Sequence, residues 1–177
     1  MTVSLSRLRL QDSWRESERH VHHMFHAMDS LRALWPLTAE KYAGLTDEQM
    51  QDIDQFVLRF SKLQDAIGGR FLPAISQFLG EDYESRPMID KLNRLEKLGF
   101  VESAEKWPQI RDIRNRFAHD YPDDMEKNAE NLNLAFEKAL ELYEMLYSAS
   151  ARLIHDRPEL ILGNPLAGKP GWVGSMA

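Results

Sequence analysis

Apolar residues return every three or four positions through long stretches of this chain, a period that admits helices and little else. Trp14, Val21, Met24, Phe25, Met28, Leu31 and Trp35 form the first stripe, which predicts a helix from about Asp12 until Pro36 interrupts it. Thr46 and Gln49 make a capping box, and Ile53, Phe56, Val57, Phe60, Leu63 and Ile67 follow as a second stripe. Gly68-Gly69 is expected to kink or break this helix. Leu72, Ile75, Phe78 and Leu79 then give a short continuation that Gly80 caps.

Ser85 and Pro87 announce another helix, with Met88, Leu92 and Leu95 inward and Gly99 closing it. Ile110, Ile113 and Phe117 set the core face of the next, expected to finish near Asp120 because Pro122 pushes Tyr121 out of the α region. The last starts at Asp123 or Asp124, whose charge suits an N-terminus, and carries Met125, Ala129, Leu132, Phe136, Ala139, Tyr143, Leu146 and Leu153 to an end near His155. Short connections between such helices predict an all-α fold, an antiparallel up-and-down bundle of four to five helices over residues 1–157 with its core at about 12–155. Residues 158–177, rich in glycine and proline and without a period, are expected to be a mobile or partner-contacting tail.

With 177 residues, 43% of them hydrophobic, one globular domain with a real core is expected. The chain has no cysteine, which excludes disulfides, thiolate metal sites and a cysteine nucleophile. Met1 to Leu10 lack the apolar core of a signal peptide and no stretch is long enough to span a bilayer, so a cytoplasmic location off the membrane is expected. The net charge of −6 and pI near 5.5 argue against a broad nucleic-acid footprint. Any such contact must be local, as along Arg86, Lys91, Arg94 and Lys97, for which a solvated helix face is the preferred reading.

The residues with chemistry in them lie from Arg111 to Tyr121, which read RDIRNRFAHDY. Histidine titrates near neutral pH and can move a proton to or from a ribose oxygen. Arginine can hold a phosphate by two bonds and stabilise the charge that grows on it. On a regular helix Arg114 and His119 would stand about 140° apart. Asn115 and His119 would share a face, so that the amide could orient the imidazole.

The R-N-x-x-x-H-x-Y pattern of Arg114, Asn115, His119 and Tyr121 resembles the signature of HEPN-domain ribonucleases. The Tyr two places after the His is similar to HepT-like toxins that pair with a minimal nucleotidyltransferase antitoxin. FVLRFSKLQDAIG, from Phe56 to Gly68, is also similar to the second helix of such sequences. The resemblance implies a HEPN-like homodimer with a composite cleft in which two copies pool their residues. It further implies a metal-independent endoribonuclease without cofactor, the toxin of a type VII-like toxin–antitoxin system, with Arg114, Asn115 and His119 catalytic and Tyr121 the site of AMPylation by the antitoxin. Attack by a 2′-hydroxyl would confine the substrate to RNA and leave a cyclic phosphate.

Without the resemblance, Arg114 and His119 read as surface residues of an amphipathic helix and Tyr121 as a helix-end packing residue. Arg111 and Arg116 read as solvent or phosphate contacts. Asp65 is expected to enter the cleft as a hydrogen-bond partner of Arg114 or His119. His22 and His26, four apart beside His20 and His23, could supply two metal ligands, but without a third the preferred reading is a polar flank facing solvent, with no metal. The alternative to the toxin is a non-catalytic helical accessory subunit that binds a nucleotide or a nucleotidyltransferase partner.

Overall fold

A computed structural model describes residues 4–81, 86–117, 123–160, 162 and 170–172 of the chain. Every regular element among them is helical: α1 (Leu5–Leu31), α2 (Ala39–Ala43), α3 (Asp47–Ala66), α4 (Leu72–Phe78), α5 (Met88–Lys97), α6 (Lys106–Arg116) and α7 (Met125–Asp156). None of these helices is long and apolar enough to cross a membrane.

Helix α1 begins seven residues before the expected Asp12, because Ser4 caps it by accepting a hydrogen bond from the Arg7 amide and Leu10 contributes a fully buried side chain. It ends before Pro36, tightening through a 3₁₀ turn at Arg32–Leu34. The capping box forms as expected, with the Thr46 hydroxyl accepting from the Gln49 amide and the Gln49 side chain accepting from the Thr46 amide. Asp124 caps α7 by accepting from the Lys127 amide. Gly80 and Gly99 both take left-handed φ, +76° and +78°, immediately beyond the ends of α4 and α5.

The Gly68-Gly69 pair does not break its helix. Residues Ile67–Phe71 form a π-helical turn that joins α3 to α4 without interruption. The wider turn absorbs an extra residue while Ile67 and Phe71 stay buried on either side of it.

One core unites the elements. Helix α1 lies along α3, the π turn and α4, while α7 receives α2, α6 and part of α3. Trp14, Met24, Phe25, Met28, Phe56, Phe60, Leu63 and Tyr143 are almost wholly enclosed. Of the tail expected to be mobile or partner-contacting, residues 158–160, 162 and 170–172 are described, and they make contacts with the helices. Leu160 and Leu162 join the core, and Arg7 donates to the Glu159 carbonyl at 2.6 Å. Trp172 packs on Phe136 with ring centroids 5.9 Å apart, and its indole donates to Asp29 at 2.7 Å. An apolar anchor with a polar handle suffices to hold a segment without a helical period.

The histidines divide. His22 and His26 are exposed as expected, whereas His20 is buried against α3, where its Nδ1 lies 3.2 Å from a guanidinium nitrogen of Arg59. That contact makes Nδ1 the acceptor and leaves the ring neutral. Burial, then the Arg59 charge, holds the His20 pKa below its ordinary 6.5; Arg19 and Lys62 act the same way and Glu16 opposes them. The unfolded chain therefore binds this proton more readily, and stability is lost as the pH falls below about 6.5. Melting curves between about pH 7 and pH 5 should show a steeper decline for the wild type than for His20→Gln, which keeps an acceptor and cannot charge. Parallel declines would place the acid sensitivity elsewhere.

Candidate functional site

Helix α6 turns Trp107, Ile110 and Ile113 into the core and leaves Arg111 and Arg114 together on its outer side, three residues apart. Asp65 is the penultimate residue of α3, a helix that α6 contacts. Its carboxylate accepts from the Arg114 guanidinium at 3.3 and 3.4 Å, so Arg114, one of the two partners expected for it, is the one seen among the described residues. Asn115 accepts from the same guanidinium at 3.3 Å. Two acceptors from two directions hold the plane of Arg114 while leaving it 38% exposed. It is thereby oriented and still open to an anion.

Arg114 forms part of the wall of two concavities. On one side is a groove of about 700 Å³ between α3 and α7, with Ile53, Val57 and Leu132 along its apolar part and Asp54, Ser61, Arg116 and Asn131 along its polar part. On the other is a recess of about 430 Å³ under α6, bounded by Gln64, Asp65, Gly68, Trp107 and Arg111. Both volumes fall in the range of small-molecule sites.

Arg116, read from the sequence as a solvent or phosphate contact, is drawn into this wall. It pairs with Asp112 at 3.0 Å and donates to the buried Asn131 at 3.4 Å. Asn131 and Gln64 were not singled out from the sequence. The signal for each is a polar residue on the face of a helix that is otherwise apolar, Asn131 beside Leu132 and Gln64 beside Leu63.

Among the described residues α6 runs to Arg116, where the Phe117 amide tightens onto the Arg114 carbonyl in a 3₁₀-like bond; the expected end near Asp120 lies outside them. The expected shared face of Asn115 and His119, and the expected angle of about 140° between Arg114 and His119, therefore fall on a residue outside the described ones. His119 and Tyr121 lie outside the described residues. What the fold does supply is Arg114, Asn115 and Asp65 gathered in space at the junction of α3 and α6, with Arg114 and Asn115 five and four residues before His119 in the chain.

Among the described residues no group of three or more His, Asp or Glu side chains is arranged to hold a metal ion. No family model, curated protein or solved structure matches this chain.

Proposed function

We propose that the chain is a metal-independent endoribonuclease of the HepT-like kind, the toxin of a toxin–antitoxin pair. The observation that carries the reading is Arg114, set by Asp65 and Asn115 on the wall between two concavities and followed in sequence by His119 and Tyr121. Arg114 would hold the scissile phosphate, and His119 would move the proton of the 2′-hydroxyl or of the leaving oxygen. The 2′-oxygen attacks phosphorus, the bond to the 5′-oxygen breaks, and a 2′,3′-cyclic phosphate and a 5′-hydroxyl result. Tyr121 would take AMP from a nucleotidyltransferase antitoxin, adding negative charge beside a site that binds phosphate. The helices would form an antiparallel bundle whose homodimer brings two copies of the motif to one cleft. That composite cleft rests on the resemblance.

Incubating purified protein with total cellular RNA in EDTA tests the proposal. Wild type should cut and leave cyclic phosphate ends, His119→Ala should not, and the mass in solution should be that of two chains. Intact RNA in every lane, from protein free of AMP on Tyr121, would sink the ribonuclease.

A second reading has its own support. Two of the cations of the site are paired with carboxylates, Arg114 with Asp65 and Arg116 with Asp112, and the chain as a whole carries −6. This balance suits a non-catalytic accessory subunit that binds a nucleotide or a nucleotidyltransferase. In that case His119→Ala would leave growth of an expressing host unchanged relative to wild type.

A further inference from the structure

The recess under α6 contains a polar group that the fold does not use. Gln64 is only 4% exposed and lines this recess, yet its Nε2 has no hydrogen-bond partner. A buried amide left unpaired destabilises a protein, and such groups are uncommon enough to call for a reason. Leucine or methionine at this position in the stripe Phe60, Leu63, Ile67 would fill the same space without that penalty.

The surroundings of Gln64 are those of a preformed pocket. The Trp107 ring lies so close over Gly68 that a β-carbon there would come within 2.4 Å of it, so the wall made by the indole is seated directly on the backbone of the π turn. π-Helical turns are frequent at functional sites. Arg111 and Arg114 also line the recess, Arg111 exposed and Arg114 shared with the larger groove. The Asp65 carboxylate, also on the recess, disfavours a phosphate inside it but accepts readily from an amino group or a hydroxyl.

We infer that this recess receives the base of a nucleotide adjoining the phosphate held by Arg114, and that Gln64 is the residue that selects that base. The inference rests on the ribonuclease reading for the identity of the chain that enters. The last torsion of a glutamine is soft, so its amide can turn to present its donor, its acceptor or both to a base edge. Arg111 holds the next phosphate and takes no part in the selection. Because bases must be unstacked to enter a recess of this size, the substrate is single-stranded.

The test uses RNA that cannot be cut: 2′-O-methyl hexanucleotides of A, C, G or U, with binding followed by fluorescence anisotropy. Wild type should prefer one base over the poorest by about tenfold. Gln64→Met should melt at the same temperature or higher and reduce the preference to about twofold or less, because the unpaired amide is gone from both the fold and the site. Arg111→Ala should weaken all four oligonucleotides alike. Should Gln64→Met fail to fold, the side-chain amide resonance of Gln64 in ¹⁵N-labelled wild type must shift with the preferred oligonucleotide and not with the poorest.

No binding, equal binding of the four bases, a preference that Gln64→Met retains, or a Gln64 resonance that ignores the ligand would each overturn the assignment. Base-selective binding by a protein that cuts no RNA would leave the recess standing and remove the ribonuclease. Cutting without base-selective binding would do the reverse.

Discussion

Replacing Arg114 by alanine is expected to slow RNA cleavage by about 100- to 1000-fold, the usual effect of removing one donor aimed at charge that develops in a transition state. Stability should hardly move. The ion pair with Asp65 is long at 3.3 Å, and its partners are 38% and 56% exposed, so water screens it and its contribution is at most about 1 kcal/mol. The two readouts therefore separate, which distinguishes a phosphate-binding arginine from one that only braces α6 against α3. Arg114→Lys keeps the charge but loses the planar fork, and should recover only a small part of the rate. Asp65→Asn still offers an acceptor, so it should alter the rate far less than Arg114→Ala. Single-turnover cleavage of a short RNA, with a melting curve for each variant, reads both quantities. Equal rates for wild type and Arg114→Ala would take Arg114 out of the site.

Asp65 with Arg114 was one of two pairings the sequence suggested, the other being with His119, and the apolar stripes of the two helices, Phe56, Phe60 and Leu63 in α3 and Trp107, Ile110 and Ile113 in α6, account for it. The stripes determine which side of α3 and of α6 turns inward, and the polar residues at their edges then meet. Local signals carry equally well. Thr46 with Gln49, Asp124, Gly80 and Gly99 each act within one turn of their own position, and each does what its chemistry dictates.

The missed features depend on contacts distant in sequence. The π turn at Ile67–Phe71 exists where the Trp107 indole presses on Gly68, a partner 39 residues away that no local rule anticipates. Burial of His20 depends on Arg59 across the α1–α3 contact. The docking of Trp172 depends on Asp29 and Phe136, which come together only once α1 and α7 are packed. At Gln64 the apolar period places a polar residue at a buried position, and a reading built on the apolar residues passes over it. Buried polar residues at core positions are where local and global preferences conflict, and such conflicts concentrate at functional sites.

The two glycines of the π turn should respond in opposite ways to the same substitution. At Gly68 an added β-carbon would lie 2.4 and 2.7 Å from two atoms of the Trp107 ring, and that ring is only 7% exposed with little room to retreat. Overpacking of this kind costs about 1–3 kcal/mol, and alanine's better helix propensity offsets about 1 kcal/mol of it. With a rigid ring as the obstacle, Gly68→Ala should lose about 2 kcal/mol, or about 4–8 °C in melting temperature for a chain of this size. At Gly69 nothing lies within 4 Å of the same atom, so Gly69→Ala should gain about 0.5–1 kcal/mol. Exchanging Trp107 for leucine opens the space above Gly68, so the loss from Gly68→Ala should shrink in that background, a coupling that a double-mutant cycle measures directly. Trp107 belongs to the first turn of α6 and Arg114 to its last. A displaced indole therefore tilts the helix that presents Arg114 to Asp65, and Gly68→Ala should lose cleavage as well as stability, whereas Gly69→Ala should keep both. If the two alanine variants melt together, the close approach of Trp107 to the backbone is not what holds α6 in place.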